Sequence, residues 1–183
     1  HCQSEVEKLE EQKLVCSRAR PIIDAVRERM LSQILPGTIA HMQLLVPLLT
    51  AGRYHHAELD PTNYKIRVWD TRAGEQGEYV EKDFFSGGTQ DQFSLALRLG
   101  FALAALPQEL GTSPGFIFLD EPLSAFDRQR TTALIKILTE GEVAQRFDQI
   151  FLIAHDRTFE RHPFPYHIRL ENGQIVESNL NSK

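Results

Sequence analysis

Two cysteines in 183 residues, Cys2 and Cys16 on one predicted helix, are too few for a disulfide framework and match no zinc spacing. They read as reduced thiols of an intracellular protein. No apolar run approaches the roughly 20 residues that cross a bilayer, and no signal peptide is visible, so no membrane contact is expected. An excess of basic charge is missing too: 20 Lys and Arg stand against 25 Asp and Glu, a net charge of -5. Whole-chain electrostatics therefore do not mark a nucleic-acid binder, and any such contact is local or made by other parts. Disorder-prone and repetitive composition is also lacking. With 42% hydrophobic residues the chain can bury one sizeable core, with an appendage. The first residue is His1 rather than Met, as in an excised or processed piece.

The appendage is expected at residues 1–35. Leu9, Cys16, Ile23 and Met30 recur every seven positions, with Gln12, Ala19, Val26 and Gln33 in the offset column, a weak coiled-coil seam. An ordinary amphipathic surface helix would carry the same pattern. Pro21 predicts a kink or a new helix start, and Pro36-Gly37 predicts the end of the segment. A second apolar helix is expected over 39–49. Strands are expected around 64–69 and near Tyr79-Val80, then a largely buried helix over 89–106 with Gln90, Ser94 and Arg98 on its polar stripe. Buried strands at 116–119 and 149–154 flank a helix running from Arg128 to roughly Phe147. That order predicts a parallel sheet covered on both faces. Asn172-Gly173 between short alternating runs predicts a β-hairpin over 167–177.

Three segments carry chemistry. Ser86-Gly87-Gly88 opens the 89–106 helix, where free amides and the positive dipole end suit an anion and glycine lets a phosphate approach. A plain helix cap is the other reading. Asp120-Glu121 ends a strand where open parallel sheets bind ligands; Asp120 is placed to hold Mg²⁺ and Glu121 to accept a proton from an attacking water. An acidic strand exit would look alike. His155 ends the next strand, beside the same site or in a structural role. No Gly-x-x-x-x-Gly-Lys-Ser/Thr loop, the cradle for nucleotide phosphates, occurs in the chain.

The order Ser86-Gly87-Gly88, Phe116 to Glu121, Ser124 to Asp127 and His155 resembles the carboxyl-terminal lobe of an ABC-type ATPase of the SMC and SbcC kind, coiled-coil ATPases of chromosome organisation and DNA repair. The resemblance covers 53–177 and extends to the amino-terminal helix. It implies an α/β, P-loop NTPase-type parallel sheet, with residues 1–35 as coiled-coil stub and base helix and 36–183 as the lobe. It further implies that Ser86, Gly87, Gly88 and Gln90 are a signature motif meeting ATP in trans. Asp120 becomes the Mg²⁺ ligand, Glu121 the catalytic base and His155 the switch histidine. Ser124 and Asp127 form the D-loop, and Arg98 is a residue coupling nucleotide state to the coil, or a simple salt bridge. The sequence departs from the family pattern at Phe85, Thr89 and Phe126, and in the stretched loop around Gly111.

The implied partners are an amino-terminal lobe supplying the phosphate loop, a second head across two ATP molecules, DNA, and a nuclease or kleisin-type protein. The implied location is the cytoplasm, nucleoid or nucleus. Arg18, Arg20, Arg27 and Arg29 cluster near the base of the coil, either for DNA or as a solvated face. Two further readings stand beside this one. A transporter nucleotide-binding subunit would carry its phosphate loop upstream of Ser86, and a non-hydrolysing coiled-coil scaffold would have no need of Asp120, Glu121 and His155 together.

Overall fold

The computed structural model describes residues 2–60, 62–105, 115–122, 126–155 and 164–180. Helix α1 (Cys2–Arg29) runs unbroken through Pro21, so no new helix starts there. Proline removes one i→i−4 bond, and on a helix exposed along nearly its whole length the orphaned carbonyl is left to water. Nor does Pro36-Gly37 stop the chain. A single π turn (Met30–Ile34) absorbs the misfit, with the Leu35 amide donating to the Met30 carbonyl, and α2 (Leu35–Leu49) follows directly with Pro36 in its first turn, where no amide donor is needed.

Helix α2 packs along α3 (Gly87–Ala105). Small residues permit the approach: a Cβ on Gly100 would lie 2.8 Å from the Thr38 carbonyl oxygen, and one on Gly37 3.1 Å from Ala104 Cβ. Met42, Val46 and Leu49 from α2 meet Phe93, Ala96 and Leu99 from α3 in one core. An antiparallel sheet of β1 (Ala57–Leu59), β2 (Ile66–Asp70) and β3 (Glu78–Glu81), in that order, contributes Ala57 and Val68 to that core. Strand β1 escapes the sequence pattern because three residues are too few to show a period.

The second sheet pairs β4 (Phe116–Asp120) and β5 (Gln149–Ile153) in parallel, with Asp120 opposite Ile153. Between them the expected single helix is two, α4 (Arg128–Thr139) and α5 (Glu142–Arg146). The break falls at Gly141, where a Cβ would lie 2.8 Å from the Ile137 carbonyl oxygen. Among the described residues the sheet is covered on one face only, against the expectation of two. Leu119 is buried, whereas Phe116, Phe118, Phe151 and Ile153 are 42–58% exposed. The continuous apolar runs therefore record an uncovered apolar face in this chain. The hairpin of β6 (Ile168–Glu171) and β7 (Gln174–Ser178) turns on Asn172 and Gly173, at φ 49° and 76°, the left-handed pair such a turn requires.

Candidate active site

The turn before α3 is held by its own residues. The Ser86 carbonyl accepts from the Thr89 and Gln90 amides at 2.8 and 2.9 Å, and the Ser86 and Thr89 hydroxyls lie 2.9 Å apart. Gln90 turns back, donating its amide nitrogen to the carbonyls of Phe85 (2.8 Å) and Asp83 (3.2 Å). It braces the turn. Ser86 and Gly87 are exposed, and a Cβ on Gly87 would meet nothing within 4 Å. Packing within the chain thus gives no reason for glycine there, whereas close approach of an outside group does.

Beneath this turn Phe85, Tyr54 and Phe93 form a mutual edge-to-face triad with centroids 5.2–5.3 Å apart. The Tyr54 hydroxyl accepts from Arg72 Nη2 at 3.1 Å, and Arg72 grips the Asp70 carboxylate at 2.8 and 3.0 Å. The Arg72 hydrogen bond holds the Asp70 carboxyl below its ordinary range, and Asp70 in turn raises the Arg72 guanidinium. A cleft of about 440 Å³ opens here, lined by Arg53, Arg72, Phe84 and Ser86 among others.

At the ends of β4 and β5 the structure brings Glu121 and His155 together, with His155 Nε2 2.7 Å from Glu121 Oε1. Protonation of the imidazole makes this an ion pair. No aligned hydrogen bond reaches that carboxylate oxygen among the described residues. The Glu121 amide donates to the Ile153 carbonyl at 2.9 Å, while its φ of 47° is left-handed, a strained setting for a non-glycine residue. Asp120 is exposed one position earlier. No group of three or more His, Cys, Asp or Glu side chains converges among the described residues, so Asp120 offers a lone carboxylate. That fits Mg²⁺, which keeps water and substrate phosphate oxygens as its other ligands.

Asp127 caps α4, its Oδ1 accepting from the Arg130 amide at 2.9 Å. Ser124 lies outside the described residues. The Arg130 side chain reaches Gln92 in α3: with the amide oxygen facing the guanidinium, it accepts from Nε at 2.9 Å and Nη1 at 3.2 Å. Arg98 is exposed and forms no ion pair among the described residues, beside a cleft of about 310 Å³ shared with Lys65 and Lys82. No hydrogen bond or ion pair joins Ser86 to Asp120, Glu121 or His155 among the described residues. Sequence reasoning missed Gln92, Arg130, Tyr54 and Arg72. Two signals pointed to the first pair: a polar residue off the Gln90–Ser94–Arg98 stripe, and an N-cap spacing of Asp-x-x-Arg.

Residues 57–140 match a family model described as SbcC/RAD50-like, Walker B motif. The DNA double-strand break repair Rad50 ATPase of Methanopyrus kandleri is 28% identical over 156 residues, covering 84% of this chain; the chain spans 17% of that relative's length. A solved structure described under ATP-driven dimerization and DNA stimulated activation of SMC ATPases superposes with a TM-score of 0.51 at 14% identity. It covers 77% of this chain and 84% of its own. The SMC head domain from Thermotoga maritima gives 0.50 at 17% identity, covering 76% of this chain and 45% of its own. At such identities the structures speak for the fold, an α/β P-loop ATPase type. The family model and the Methanopyrus relative bear out the resemblance to an SMC/SbcC-like ATPase lobe.

Proposed function

We propose that this chain is the carboxyl-terminal half of an ATP-hydrolysing head that closes around ATP as a dimer and drives a DNA-associated coiled-coil machine. The observation carrying this reading is the Glu121–His155 contact of 2.7 Å at the adjoining ends of two parallel strands, where α/β folds of this kind bind ligands. Glu121 takes the proton of the attacking water, and His155 orients that water or meets the terminal phosphate. Asp120 would hold Mg²⁺, directly or through water; when bound, the ion neutralises charge on the phosphates. Ser86, Gly87 and Gly88 present a helix N-terminus to the nucleotide of the other head, across a two-fold interface.

The phosphate loop absent from these residues comes from an amino-terminal lobe of the same protein, with α1 as the returning arm of the coil. DNA as substrate rests on the name of the Methanopyrus relative, and a nuclease or kleisin-type partner on the resemblance alone. Glu121→Gln in the full-length protein is the test. The amide keeps the side chain's shape and loses its basicity, so ATP binding persists while turnover falls by about 10²–10⁴-fold. Unchanged steady-state phosphate release removes Glu121 from the role, and with it this reading.

A further inference from the structure

We infer that Arg130 is a positioning residue that ties the Ser86 helix to the Asp127 turn by gripping Gln92 and Asp127 with one guanidinium. This rests on the ATPase reading above, which sets Ser86 against the nucleotide of the other head, and on the resemblance that makes Asp127 a D-loop residue. Gln92 lies six positions beyond Ser86 in α3 and is 1% exposed. A buried amide is costly unless it is paired, and an apolar residue would serve the packing around Phe93 and Ala96 equally well. With the amide turned so that its oxygen faces the guanidinium, the orientation that pairs donors with an acceptor, that oxygen takes two hydrogen bonds from Arg130, at 2.9 and 3.2 Å. The same Nε lies 3.5 Å from Asp127 Oδ2, and the Arg130 amide holds Asp127 Oδ1 at 2.9 Å.

Arg130 is thus fixed at both ends: to the helix whose first residues form the candidate anion site, and to the turn that follows Glu121 by six residues. A displacement of α3 when phosphate meets Ser86 reaches Asp127 through four polar contacts, two from Gln92 to Arg130 and two from Arg130 to Asp127. Such a link requires coupling evidence and not mere adjacency, so the test is a double-mutant cycle in the full-length protein. Gln92→Met keeps the length and removes the acceptor; Arg130→Met removes the donor. Gln92→Glu restores an acceptor.

Each single Met variant lowers kcat by about 10- to 100-fold, the worth of charge-assisted hydrogen bonds, while KM for ATP stays within about twofold. The double variant is no worse than the poorer single one, and Gln92→Glu recovers most of the turnover lost in Gln92→Met. Circular dichroism melts establish that each variant is folded, and a variant that does not fold leaves Gln92→Glu and Arg130→Lys to decide the matter. Arg130→Lys keeps the charge, loses the fork and is impaired if the bridge matters. Unchanged kcat in the singles, multiplicative losses in the double, or full activity in Arg130→Lys overturns the inference. Glu121→Gln measured alongside separates the two claims: if it stops turnover while the 92 and 130 variants do not, only the bridge falls. If it turns over like the parent protein, the ATPase reading falls first.

Discussion

The setting of Ser86 depends on residues remote from it in sequence. Asp70 at the end of β2 holds Arg72, Arg72 holds the Tyr54 hydroxyl, and the Tyr54 ring supports Phe85, the residue before Ser86. Because Arg72 depresses the folded-state pKa of Asp70, the contact stabilises the fold fully above the ordinary carboxylate value of 3.8. It is lost as pH falls through the lower folded value. Asp70→Asn is expected to cost about 1 kcal/mol near neutral pH, since Arg72 is largely exposed. It should also remove part of the acid sensitivity below about pH 4; parallel denaturation curves at pH 7 and pH 3 check this, and an equal cost at both would discount the ion pair. Motif residues such as Ser86, Glu121 and His155 were legible in the sequence because their spacing along strands and helix ends is local. The support chain through Tyr54 and the Gln92–Arg130 bridge was not, because each joins segments that only tertiary folding brings together. The left-handed backbone of Glu121 was also hidden, since a residue before Pro122 is ordinarily extended.

Among the elements, helix and hairpin identities followed from period and turn chemistry, while the boundaries set by proline and glycine did not. Pro21 read as a kink or a new helix start and Pro36-Gly37 as a stop, yet an exposed helix tolerates one missing bond and a π turn accommodates the other. Gly100 stands out in the structure rather than in the sequence, as the place where α3 meets the backbone of α2. A side-chain carbon there would lie 2.8 Å from the Thr38 carbonyl oxygen and 3.0 Å from the Met42 amide nitrogen. Backbone cannot yield as a flexible side chain does. Gly100→Ala is therefore expected to destabilise by about 1–3 kcal/mol, the usual cost of overpacking, despite alanine's better helix propensity. Thermal melting tests it, and a raised midpoint would mean that α2 and α3 separate easily.

For the molecule as a whole, the uncovered face of the β4–β5 sheet sets the terms on which it works. Phe118 stacks on Phe151 at 4.5 Å between ring centroids and meets Phe116 edge-on, and Ile153 continues the row beside Asp120. Fully burying an exposed side chain of this kind is worth about 1.5–3 kcal/mol, and about half of each is still exposed, so a covering lobe has a thermodynamic reason to dock. On the split-head reading that lobe also brings the phosphate loop, whose lysine and hydroxyl make the main contacts to the β- and γ-phosphates. Residues 1–183 alone should accordingly neither hydrolyse ATP nor bind it measurably by calorimetry. Adding the amino-terminal lobe as a second polypeptide, with its own half of the coil to pair with α1, should restore both. Phe118→Asp should block that restoration by placing a charge in the docking face, without altering the lobe's own folded core, since Phe118 is 58% exposed. Micromolar ATP binding by the lobe alone would reveal a phosphate site within this sequence and end the split-head account. Full restoration with Phe118→Asp would instead move the docking surface elsewhere.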